Sequence, residues 1–220
     1  MNNFSGKHIL FALMAFFGSA IAVAQDKDIP FDKRLFEDDK TGFFDAVKEI
    51  KEGDYHFFDG SPDRMVEALK HYERAQEFNP YSSVLNFKIG LCYLNSNQKF
   101  KSLEYLKFAH KVNPEVDENI EFYLAQAHQL DGNFEEAESH YRAFKDQIKP
   151  KDLVQRQFIN KKIEECQTGA ALKAEPIRVW IDNLGDSINT EFPEFAPVIS
   201  ADNRGLFFTA RRPDSEGGKK

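Results

Sequence analysis

Cysteine is scarce in this chain, with two in 220 residues, and tryptophan occurs once. Cys92 and Cys166 form no CxxC pair and have no Cys/His partners at metal-ligand spacing, which excludes a zinc finger or a dithiol redox motif. Both cysteines fall in predicted helices with several others between them, and packed helix axes lie about 8 to 10 Å apart. That exceeds the ~7 Å Cα limit for a bridge, so two reduced thiols are expected, with Cys92 buried as a small hydrophobe. A polybasic stripe is also missing. The formal net charge is −7, and nothing along the chain offers the positive track that nucleic acid requires. No GxSxG elbow and no P-loop are present, and the six histidines fall into no metal or catalytic spacing. No cofactor is implied. At 41% hydrophobic the chain can bury a core, and its length allows one domain or two.

The apolar run from Ile9 to Phe17 falls short of the roughly 20 residues that span a bilayer, and Gly18 and Ser19 break it. Lys7 and His8 precede it, and Ala22-Val23-Ala24 follows as an A-x-A cleavage pattern. Residues 1–24 therefore read as a signal peptide, removed to leave Gln25 first. Gln in place of Cys there argues against lipid attachment. The mature chain has 28 basic and 36 acidic residues, and no transmembrane helix is expected after cleavage. Its expected address is exported and periplasmic, with outer-membrane association as the narrower option.

A repeat organises the middle of the chain. Ala75 precedes Asn79-Pro80, and 34 residues later Ala109 precedes Asn113-Pro114. Residues 25–42 are charged, contain Pro30 and read as a lead-in segment. From Phe43 the period turns helical through Ala46, Val47 and Ile50 to Gly53. Gly60-Ser61-Pro62-Asp63 breaks it, Asp63 is the expected N-cap of the next helix, and Asn79-Pro80 stops that helix. Residues 151–168 predict a helix with Leu153, Val154, Phe158, Ile159 and Ile163 on one face, ending at Thr168-Gly169. Residues 169–176 read as a linker.

These residues resemble the tetratricopeptide family, in which small residues sit where helices cross and Pro ends the second helix of each 34-residue hairpin. Gly53, Gly60, Ala68, Tyr72, Ala75 and Pro80 match in a first hairpin with about three extra turn residues. Ile89, Gly90, Tyr93, Ala109 and Pro114 match in a second, where Asn97 and Ser102 replace the usual Gly and Ala. Ala125, His128, Gly132, Ala137 and Tyr141 match in a third, where Phe144 replaces Ala and Pro150 arrives late. The resemblance implies a mainly α fold: a three-hairpin solenoid over 43–150 with a capping helix over 151–168.

Past the linker the chemistry changes. Ile177-Arg178-Val179-Trp180-Ile181 alternates and predicts a strand, Asn183-Leu184-Gly185-Asp186 a turn, and Ala196 to Ser200 and Leu206 to Ala210 two further strands. Pro197-Val198-Ile199-Ser200-Ala201-Asp202 and Gly205-Leu206-Phe207-Phe208-Thr209-Ala210-Arg211-Arg212 resemble the repeat of WD-like, TolB-type β-propellers, with Ala201 for the usual Pro and Ala210 for Ser. Residues 177–220 would then form an incomplete blade, since closed propellers have 4 to 8. The expectation is that the chain continues past Lys220. The joined pattern resembles the front of OmpA-family envelope proteins, some of which serve type IX secretion. That likeness implies a non-enzymatic scaffold with a cell-envelope protein partner and peptidoglycan association through a further domain. The alternative is the N-terminal part of a propeller-containing serine peptidase.

The tetratricopeptide likeness also implies where a partner would bind, because the first helix of each hairpin lines the groove. Those positions are Phe87, Leu91 and Leu94 in the second hairpin and Phe122, Gln126 and Gln129 in the third, suited to apolar and amide contacts with a helix or extended peptide. The same aromatics could instead pack within the short stack or against the lead-in segment. His128 reads as a packed groove filler, and Asp182, Asn183 and Asp186 as turn formers.

Overall fold

The computed structural model describes residues 27–213, so the expected signal peptide lies outside the described residues. The chain divides into two units, Met1–Ala174 and Glu175–Lys220. The first is helical: α1 (Lys40–Phe57), α2 (Pro62–Phe78), α3 (Ser83–Leu94), α4 (Ser102–Val112), α5 (Ile120–Leu130), α6 (Phe134–Gln147) and α7 (Leu153–Ala174). The second holds β1 (Glu194–Ile199) and β2 (Leu206–Ala210). The described residues are thus mainly α with a short β segment.

Each helix packs on the next, and the pairs run antiparallel. Phe57 near the end of α1 meets Tyr72, while Phe31 and Phe36 join Phe43 at its start to Phe78 at the end of α2. The crossing geometry follows from small residues. A Cβ on Gly53 would stand 2.5 Å from the Tyr72 ring, and one on Gly90 would stand 2.7 Å from Leu106. Glycine at these points is what lets the backbones approach. The core consequently runs as three neighbouring clusters, one centred on Tyr72 and Ile89, one on Leu106 and Leu124, and one on Tyr141 and Ile159.

Several element boundaries differ from those expected. Helix α1 begins at Lys40, because the Asp39 side chain accepts from Gly42 N at 2.9 Å and caps it, and it continues past Gly53. Helix α2 begins at Pro62 with Ser61 as N-cap, so Asp63 lies inside the first turn. Proline is well placed there, since the first N–H of a helix has no internal partner. Helix α7 runs through Thr168 and Gly169 to Ala174. Gly169 is retained in the helix by contact, as a Cβ there would stand 2.5 Å from the Phe134 ring. Residues 169–174, expected as linker, are therefore helical. Leu153 and Val154, expected on the packed face of α7, are exposed, Val154 by 79%, and the buried face is Ile159, Ile163 and Cys166. Spacings of four and three mark one helical stripe, which Leu153 and Val154 lie outside.

The lead-in residues are folded against the stack. Asp28 accepts from Ser83 N at 2.8 Å and from Ser83 Oγ at 2.9 Å, and Ile29 N donates to Tyr81 O at 3.0 Å. Asn79 Nδ2 donates to Ile29 O at 2.7 Å.

In the second unit β1 and β2 pair antiparallel, Val198 opposite Phe207 and Ile199 opposite Leu206, with a register shift between Phe195 and Val198. Ala196 takes φ +54°, the local kink that accompanies the shift. Strand β1 thus begins two residues before the expected Ala196, and β2 spans the expected residues. Ser200 and Asp202 tie the connecting turn: Ser200 Oγ donates to Asp202 Oδ1 at 2.6 Å and accepts from Gly205 N at 2.8 Å. The strand expected at Ile177–Ile181 is absent: that segment has no regular secondary structure, is exposed, Ile181 by 91%, and has no ladder partner among the described residues. Alternation supplies a face for a strand, but a strand also needs a neighbour for its N–H and C=O groups. Among the described residues no helix is long and apolar enough to cross a membrane.

Candidate binding groove

Helix α5 places Phe122, Gln126 and Gln129 on one stripe, at spacings of four and three. Together with Leu94 at the end of α3 they line an open cavity of about 850 Å³. Tyr123, Leu130, Phe134 and Tyr141 add to its wall, and Asn95, Lys99 and Lys162 stand at its polar edge. Four of the six residues expected to meet a partner are thereby brought together.

Phe87 and Leu91 are not among the lining residues. Phe87 is 8% exposed and packs in the cluster of Leu106, Ala109, Ile120 and Leu124, with its ring 5.8 Å from Tyr123. Leu91 is half-buried against the same cluster. Helix α3 lies between neighbours and buries Leu85, Phe87, Ile89, Gly90, Cys92 and Tyr93, so only its end reaches the cavity. The alternative reading, that such aromatics pack within the stack, holds for Phe87.

The groove is apolar at its floor and neutral-amide along its length. Phe122 packs on Tyr141 and Phe144 and has the Phe158 ring 6.2 Å away. Tyr141 Oη donates to Gln129 Oε1 at 3.0 Å, which orients that amide, and burial pushes the Tyr141 phenol well above its ordinary range. Burial raises Tyr123 as well. The phenols are therefore hydroxyl donors at neutral pH. Lys162 Nζ donates to Glu165 Oε2 at 2.8 Å, an interaction that holds the Glu165 carboxyl below its usual range. Among the lining residues the charged ones are Lys99 and Lys162.

Tyr123, Asn95, Lys99 and Lys162 were not anticipated as groove residues. Lys162 had no usable signal, because only the return of α7 over α6 brings it to this edge. Histidines gather elsewhere: His56 stacks on His71 at 5.7 Å, and His110 and His140 flank Glu121 with His128 stacked on His140. Among the described residues no group of three or more His, Cys, Asp or Glu side chains could hold a metal ion. Asn183 Oδ1 accepts from Gly185 N at 2.7 Å, so it forms the turn read from the sequence.

No protein-family model matches the chain, and no curated protein is similar enough to count as a match.

Proposed function

We propose that the protein is a non-enzymatic scaffold of the bacterial cell envelope whose helical unit is a tetratricopeptide stack that holds a segment of a protein partner. The observation that carries this reading is the groove on α5, where aromatic rings, two glutamine amides and Leu94 line one cavity. Such a surface suits an extended chain or a helix: apolar side chains meet Phe122 and Tyr123, and backbone groups meet Gln126 and Gln129. The residues lining it are suited to holding, since two lysines supply their charge and Asn95, Gln126 and Gln129 supply neutral donors and acceptors. Export by the N-terminal segment, and a propeller-type second surface in the β unit, belong to the same reading.

The test is capture from envelope extract with the purified protein. Gln126→Arg combined with Leu130→Glu places charge and bulk in the groove while leaving the buried clusters untouched, since Leu130 lines the cavity and is exposed. Partner recovery should fall about tenfold or more, whereas Glu164→Lys on the exposed face of α7 should leave it unchanged. Equal recovery by all three folded proteins would sink the groove assignment.

A further inference from the structure

Helix α5 has a second face. About a third of a turn round from the groove stripe it carries Glu121 and His128, and against these stand His110 from α4 and His140 from α6. Glu121 bridges the two outer imidazoles, with Oε1 3.1 Å from His110 Nε2 and Oε2 2.6 Å from His140 Nδ1. His128 stacks face to face on His140, centroids 5.3 Å apart at 19°, and His140 meets His110 edge-on at 6.1 Å. His128 is 6% exposed, and its Nδ1 has no hydrogen-bond partner. The remaining charges around it are Lys107 from α4, Glu136 from α6 and Asp131 from the turn after α5.

Glu121 holds His110 and His140 by direct contact with its two carboxylate oxygens, whereas His128 lies desolvated against the His140 ring with no partner for its Nδ1. Burial first, and then His140 and Lys107, hold His128 below the ordinary histidine range, with Glu136 and Asp131 opposing them. The unfolded chain places no such restraint on it. Below the ordinary value of 6.5, the unfolded state therefore binds a proton that the folded state refuses. Stability contributed by neutral His128 is present at higher pH and is lost as pH falls.

We propose that this cluster is a proton-sensitive latch between α4, α5 and α6, so that acidification loosens the α5–α6 hairpin and with it the groove wall. The latch stands on its own geometry. Its consequence, release of a bound segment at acid pH, rests on the groove reading.

The test is amide hydrogen exchange across α5 and α6 in the full chain at pH 7.5 and 5.5, corrected for intrinsic exchange rates. The wild type should lose protection there, by up to about tenfold one unit below the ordinary imidazole value. His128→Gln cannot take the proton and should show no such loss. If that variant does not fold, His140→Gln removes the stacked imidazole, leaves His128 buried, and should show a smaller loss than the wild type. Protection in the wild type that does not change with pH overturns the latch, as does an equal acid loss in a folded His128→Gln or, where that fails to fold, in His140→Gln. Intact pH-dependent exchange in a protein that captures no partner would count against the groove and leave the latch standing.

Discussion

Tyr72 shows how much one residue joins. Its ring fills the space opened by Gly53, and its hydroxyl donates to Asp54 Oδ1 at 2.6 Å, where Lys88 Nζ also donates from α3 at 2.5 Å. One side chain thus links α1, α2 and α3. Gly53→Ala should destabilise the protein by about 1 to 3 kcal/mol through overpacking against that ring, measured by denaturant unfolding. Tyr72→Phe keeps the ring and loses the bond, and about 1 kcal/mol is expected. The cysteines make a separate residue-scale prediction. Both are free and buried, and burial pushes Cys92 up to about 12 and raises Cys166. Neither should react with a thiol reagent in the native protein near pH 7.5, and both should react on unfolding. The small residues at helix crossings were legible because Gly at a fixed helical position has few other purposes. The fate of Phe87 was not, since its position gives a face of α3 but not which neighbour covers it.

At the scale of elements, the Asn-Pro pairs gain a mechanism beyond stopping helices. Asn79 and Asn113 both cap in extended conformation, as residues before proline must. Each accepts a backbone N–H two residues on, Tyr81 at 3.2 Å and Glu115 at 3.1 Å. Each then reaches backward with Nδ2: Asn113 to Ser83 Oγ at 3.5 Å, and Asn79 to Ile29 O. The lead-in segment therefore gives the first hairpin what α3 gives the second, a partner for its closing loop. Asp28→Ala should cost about 1 to 2 kcal/mol, because it removes both bonds to Ser83 at the start of α3 and a negative charge favourable to a helix N-terminus. Circular dichroism melts would show it as a lower Tm with the helical signal intact below the transition. This strap was illegible in the sequence: residues 27–36 lack an apolar period, and their partners lie some fifty positions away. Strand β2 was readable from its own residues, whereas Ile177–Ile181 carried the pattern of a strand and has no ladder partner among the described residues.

At the scale of the whole molecule, two units of different construction share one chain. Among the described residues the three core clusters belong to the helical unit. Residues 27–174 expressed alone should therefore retain the helical circular dichroism of the full chain and unfold in a transition of similar midpoint, within about 1 kcal/mol. A disordered product would contradict the division. The helical content was legible because 3.6-residue patterning persists over long stretches. The groove was legible only along α5, where one helix supplies most of its floor, and its edges from α3, α6 and α7 depend on how the stack closes. The central claim is that this groove holds a partner segment, and site-specific photo-crosslinking tests it most directly. A crosslinking amino acid at Gln126 should give a discrete adduct with an envelope protein, and one at the exposed Glu164 should not. Adducts from Glu164 alone, or none from Gln126 in a folded protein, would contradict the account.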